Sequence, residues 1–193
     1  MMVRLTRVLC ASLATLCALG PARAAEPASP IVVTSVEYRL PALTLTREDG
    51  VAVSLPKELD DGRPVAVNFI FTTCAAICPL LTQTFATFQK RLGPDAAHLH
   101  LVSFSIDPEQ DTPERLRQYA AKFKAGPGWN WYTGTVAASV AVQKAFDVYR
   151  GDKMAHGAVM LLRARPGAPW RRVEGFATAE DLVREYRAMT GRR

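Results

Sequence analysis

The stretch that most constrains this chain is Val65 to Pro79, VAVNFIFTTCAAICP. From Val65 to Phe71 it carries no charge. It then passes through Thr72 and Thr73 to two cysteines, Cys74 and Cys78, and to Pro79. A short apolar run bounded by polar residues reads as a buried strand, and the Cys-Pro that follows reads as a helix start. The thiols therefore stand where a loop turns into a helix. If that helix has begun by Cys78, residues four apart share a face and both sulfurs point into one space. The positive end of the helix dipole favours a thiolate there. Such a pair either holds a soft metal or closes to a disulfide.

The rest of the chain sets the compartment. Arg4 and Arg7 precede an apolar run from Val8 to Leu19, and Ala22-Arg23-Ala24 follows. This is the pattern of a leader cleaved after Ala24. The run is shorter than the roughly 20 residues of a membrane-spanning helix, so a retained N-terminal anchor is the second reading. Bulky Leu16 before Cys17 argues against a lipid-modified cysteine. Losing the leader removes three arginines and no acid, which lowers the net charge from +6 to +3 and gives no case for a nucleic-acid partner. Cys10 and Cys17 leave with it, so Cys74 and Cys78 are the cysteines of the exported protein.

Past a linker at Ala25 to Pro30, short strands are expected at Ile31–Val36, Leu43–Thr46 and Val51–Leu55, with a turn at Glu48-Asp49-Gly50. A charged loop, Lys57 to Arg63, leads into the central strand. Helical spacing of Leu81, Phe85, Phe88 and Leu92 predicts a helix over Leu80–Leu92, stopped by Gly93-Pro94. A second inner strand runs from His98 to Ile106, with His98 and His100 as exposed strand-end residues. Asp111 or Thr112 caps a helix from Pro113 to Lys124. Trp129–Thr133 is a strand and Val136–Val148 a helix. Gly157–Leu162 and Trp170–Val173 form a hairpin across Pro166-Gly167, and Thr178 caps a last helix to Met189. This alternation is that of one α/β domain with a central mixed sheet flanked by helices. The division is a signal peptide at 1–24, a linker and strand forming an N-terminal β extension at 25–42, and the domain proper at 43–193.

Two cysteines need a third partner to choose between metal and disulfide. His156, in Lys153-Met154-Ala155-His156-Gly157, is the candidate. Two thiolates and an imidazole suit Cu(I) and, through the nitrogen, Cu(II), whereas a structural zinc site takes four closed ligands. Here the chain resembles the SCO/SenC proteins, thioredoxin-like copper-binding proteins of cytochrome oxidase assembly. The resemblance rests on FTTCAAICP at Phe71 to Pro79, SIDPEQDTPERL at Ser105 to Leu116, and His156. It spans about Leu43 to Met189. It implies a thioredoxin-like fold, with copper on Cys74, Cys78 and His156. The implied partner is cytochrome c oxidase subunit II or another copper protein, to whose binuclear site the chain delivers copper or whose thiols it keeps reduced. The chain departs from the family where Ala155 stands in place of the common aspartate before the histidine, removing a hydrogen-bond acceptor beside it. Family members are often membrane-anchored, whereas this leader is of the cleavable kind.

The first functional reading is a periplasmic, monomeric copper chaperone, which makes and breaks no substrate bond and is not an enzyme in the usual sense. The alternative is a thiol:disulfide oxidoreductase in which Cys74 attacks and Cys78 resolves. Against a general oxidoreductase stand three residues between the cysteines and His156 where such enzymes carry a proline. A thiol peroxidase lacks a candidate arginine. Asp107 and Asp111 are expected to cap and to satisfy strand ends, with partner docking or orientation of the cysteine loop as their other role. Met160 is expected in the core and Met154 as a lesser candidate ligand. Arginines 163, 165, 171, 172, 184, 187, 192 and 193 are expected on solvated faces.

Overall fold

Every side chain of the strand Val65–Ile70 is buried, and so is every side chain of His100–Ser105 and Val159–Arg163. Strands buried along their whole length require cover on both faces, so the helices flank the sheet on both sides. A computed structural model describes residues 31–192. The leader and the linker expected at 1–24 and 25–30 lie outside those residues. In chain order the strands are β1 (Val32–Val36), β2 (Thr44–Arg47), β3 (Ala52–Ser54), β4 (Val65–Ile70), β5 (His100–Ser105), β6 (Trp129–Thr133), β7 (Val159–Arg163) and β8 (Trp170–Glu174). The helices are α1 (Leu55–Leu59), α2 (Ile77–Leu92), α3 (Pro113–Lys122), α4 (Val136–Ala145) and α5 (Ala179–Thr190), with 3₁₀ turns at Gly93–His98 and Lys153–Ala155.

The strands form one sheet in the order β1-β8-β7-β4-β5-β6-β2-β3. Its centre, β4-β5-β6, is parallel, and its other pairings are antiparallel. This is the expected mixed α/β architecture. The N-terminal strands go to opposite edges, β1 onto β8 and the β2-β3 hairpin onto β6. These directions place the ends of β4 and β5 and the start of β7 at one end of the sheet. The cysteine loop, the loop 106–112 and the turn carrying His156 therefore meet there, at the carboxyl ends of the parallel strands, where open α/β sheets build their sites. Behind them, Phe69, Phe104, Phe146 and Trp170 pack ring against ring at centroid separations of 5.2 to 6.3 Å.

Several local expectations are corrected. The loop expected at Lys57–Arg63 begins inside α1, because Leu55 and Leu59, four residues apart, bury one face of a helical turn. Helix α2 starts at Ile77 rather than Leu80, since Pro79 in a first turn forfeits no intrahelical bond. His98 is exposed as expected, but it ends a 3₁₀ turn rather than opening the strand, which starts at His100, and His100 is buried. Its Nδ1 lies 3.1 Å from the Glu58 carbonyl and its Nε2 lies 3.1 Å from Asn130 Oδ1. Arg163 and Arg172 are not solvated either. Arg163 donates to the carbonyl of Leu59, the last residue of α1, and Arg172 to the Phe146 carbonyl just past α4. Carbonyls at helix ends lack intrahelical donors, and these guanidiniums supply them. Met160 is in the core.

Candidate metal centre

Cys74 precedes α2 and Cys78 lies in its first turn. The two sulfurs are thus brought together by the loop before the helix, not by a shared helical face. Burial opposes ionisation of Cys74. The backbone N–H groups of Cys78, Ala76 and Ile77, together with the Cys78 thiol, nevertheless point at its sulfur and hold its pKa below the ordinary 9.0. Those amides are the unpaired donors of a helix start. Burial pushes the Cys78 thiol up to about 12, and the neighbouring Cys74 sulfur adds to that rise. Cys74 is 9% exposed and Cys78 is 0% exposed. The helix amides thus favour a thiolate at Cys74, and burial favours the protonated thiol at Cys78 behind it.

His156 closes the 3₁₀ turn ahead of β7 and is buried. The β7-to-β4 ladder ends at the Asn68–Met160 pair, which leaves the Phe69 carbonyl without a strand partner. The imidazole takes it: Nε2 lies 3.1 Å from that oxygen. A carbonyl only accepts, so Nε2 carries the proton and Nδ1 the lone pair. Burial pushes the histidine pKa down, which keeps the ring neutral and able to ligate. In this arrangement the carbonyl gives the ring the hydrogen-bond acceptor that Ala155 does not supply.

The loop 106–112 touches both halves of the site. Asp111, fully buried, accepts from the Thr72 N–H at 3.1 Å, from the Thr72 hydroxyl at 2.5 Å and from Ser105 Oγ at 2.6 Å. Thr112, not Asp111, caps α3 through the Arg115 N–H. The carboxylate instead restrains the chain just ahead of Cys74. Asp107 pairs with Lys153 at 2.6 Å, three residues before His156. Met154, in the same turn, is 69% exposed. A cleft of about 350 Å³ opens beside His156 between Asp107, Gln143, Val148, Arg150 and Lys153. A larger one, about 680 Å³, lies at the far end of α2 around Gln89, Gly93 and Phe123 and contains none of the candidate ligands.

The three predicted site residues thus share one end of the sheet, yet they do not form a closed set. Among the described residues no three His, Cys, Asp or Glu side chains stand close enough to hold an ion together. The two sulfurs meet, and His156 is engaged with Phe69. The sulfur pair fits a soft monovalent ion once Cys78 gives up its proton, and His156 joins only by moving from its present place on the Phe69 carbonyl. The contacts of Asp111 with Thr72 and of Lys153 with Asp107 escape sequence reasoning because they join residues 39 and 46 positions apart. The SIDPEQDTP run was their sole outward sign.

The chain is similar to known proteins in sequence and in fold. The family model SCO1/SenC matches residues 40–191. The SCO1 protein homolog of Bacillus subtilis (strain 168) is 33% identical over 120 residues, 62% of this chain and 57% of that protein. The match thus spans little more than half of that relative's length. Among solved structures, Bradyrhizobium japonicum ScoI with copper bound superposes with a TM-score of 0.64 at 26% identity, covering 76% of this chain and 96% of the other. BsSco, a Sco-family cytochrome c oxidase assembly protein described as having a disulfide switch, gives 0.69 at 25% identity over 83% and 98%. The family model covers most of the sequence, and the chain belongs to the SCO1/SenC family.

Proposed function

We propose that this protein is an exported copper carrier that loads a copper site during assembly of a cytochrome c oxidase, with Cys74 and Cys78 holding the ion and His156 completing the site. The observation that carries this reading is the unequal cysteine pair at the start of α2, one sulfur stabilised as a thiolate by helix amides and the other close behind it. Copper here is cargo. Two thiolates bind Cu(I) firmly, and a partner's thiolates displace them one at a time by ligand exchange, so the ion never enters water. His156, neutral and with a free Nδ1, adds the harder donor that Cu(II) prefers. Copper-bound Bradyrhizobium ScoI supports the assignment by likeness. The expected compartment is the periplasm, and among the described residues no helix is long and apolar enough to cross a membrane.

The test is copper binding by the reduced protein. A single Cu(I) per chain should bind to the wild type, and none should bind specifically to the Cys74→Ala/Cys78→Ala double variant. His156→Ala should lower Cu(II) affinity by more than about tenfold while Cu(I) changes little. Equal uptake by the wild type and the double variant ends the reading.

The same asymmetry favours a second reading, reduction of a partner disulfide. The Cys74 thiolate attacks one partner sulfur and expels the other as a thiolate. Cys78 then loses its proton and attacks Cys74, releasing the second partner thiolate. The partner gains two electrons and two thiols, and this chain ends as the Cys74–Cys78 disulfide. A rate of partner reduction no better than that of free dithiothreitol removes this reading.

A further inference from the structure

Lys153 touches both neighbouring loops. Its Nζ lies 2.6 Å from Asp107 Oδ2 and 5.5 Å from the centre of the Phe71 ring, at the root of the cysteine loop. Asp107 is itself tied in, because its N–H donates to Ser105 Oγ, whose hydroxyl donates to Asp111, which in turn accepts from Thr72. One run of polar contacts therefore links the histidine turn to the residues ahead of Cys74. The segment between Asp152 and His156 is bounded by Gly151, at φ +77°, and by Gly157, beside which a Cβ would meet nothing. Two tethers hold that segment: the Lys153–Asp107 pair and the His156–Phe69 hydrogen bond. In this arrangement the three candidate ligands do not come together.

We propose that Lys153 and Asp107 are a positioning pair for His156, holding its turn where the imidazole is bonded to Phe69 and not presented to an ion on Cys74 and Cys78. The assignment of a ligand role to His156 rests on the copper reading above. The Asp107 side chain is only 7% exposed, whereas that of Lys153 is 40% exposed. Moving the turn away thus strands a nearly buried carboxylate without its cation, and the cost of that separation weights the turn toward its present place. The pair holds the histidine turn by a direct salt bridge, whereas the Cys74 sulfur is set by the helix amides and its loop by Asp111. It therefore bears on Cu(II), which needs the imidazole, and not on Cu(I), which the sulfurs hold by themselves.

The test compares Lys153→Met and Lys153→Arg with the wild type in two measurements. In the metal-free, ¹⁵N-labelled protein, exchange of the His156 Nε2 proton with D₂O should quicken about two- to fivefold in Lys153→Met and return toward the wild-type rate in Lys153→Arg. In copper titrations, Cu(II) affinity should rise about two- to fivefold in Lys153→Met with Cu(I) affinity unchanged. Unchanged proton exchange, Cu(II) affinity that stays level or falls, or equal loosening in Lys153→Arg would overturn the proposal. A wild type that takes up no copper defeats the copper reading by itself. The exchange measurement still decides the pair.

Discussion

Alkylation of the reduced, metal-free protein at pH 7 should label Cys74 and spare Cys78. Burial holds the Cys78 thiol at about 12, so about one molecule in 10⁵ has it ionised at pH 7. Cys74 lies below 9.0, so its ionised fraction is larger by at least about a thousandfold. A less basic thiolate is the weaker nucleophile, and a Brønsted coefficient of about 0.4–0.5 gives back roughly fifteen- to thirtyfold across that gap. At least about a thirtyfold preference for Cys74 remains. Access adds to it, since Cys74 is 9% exposed and Cys78 is 0% exposed. The assay is a time course with iodoacetamide, read by peptide mass spectrometry. Cys74→Ser should slow total labelling by the same thirtyfold or more, whereas Cys78→Ser should leave Cys74 reactive, because the amides of Ala76, Ile77 and residue 78 still face its sulfur. Comparable labelling of the two cysteines in the wild type, or a Cys74 rate whose pH midpoint sits at or above 9.0, would refute the reasoning.

Asp111→Ala should destabilise the protein by about 2–4 kcal/mol in urea unfolding, since it leaves the Thr72 N–H, the Thr72 hydroxyl and the Ser105 hydroxyl without their acceptor. Phe146→Ala should cost about 3–5 kcal/mol by the same measurement, because its ring packs on Phe69, Phe104 and Trp170 at once. Burial, followed by the nearby Arg63, pushes the His100 pKa below 6.5. The unfolded chain then binds a proton at that histidine which the fold refuses, so its contribution is present above pH 6.5 and is lost as pH falls through the folded value. Thermal melts of the metal-free protein between pH 5 and 8 should show this slope in the wild type and a shallower one in His100→Gln; equal slopes would count against it.

The inner strand at Val65, the helix after Pro79 and the capped helices at Pro113 and Ala179 were legible because each is written in neighbouring residues, as apolar period, Pro position or cap. His100, Arg163 and Arg172 were misread as surface residues for the opposite reason. Nothing beside them in the chain announces the Glu58, Leu59 and Phe146 carbonyls they bond, which belong to other elements.

The sequence alone determined the kinds of donor at the site, two cysteines and a histidine in widely separated segments, because chemistry follows residue type. It also determined that an uncharged strand must carry the cysteines to the end of a buried sheet. Tertiary structure decided how those donors stand: Cys74 facing helix amides that favour its thiolate, Cys78 buried as a thiol, and His156 turned to the Phe69 carbonyl with Lys153 anchored on Asp107. Burial, free helix amides and unpaired carbonyls exist only once strands and loops distant in the chain have met, and it is those that set a proton's place or a ring's direction.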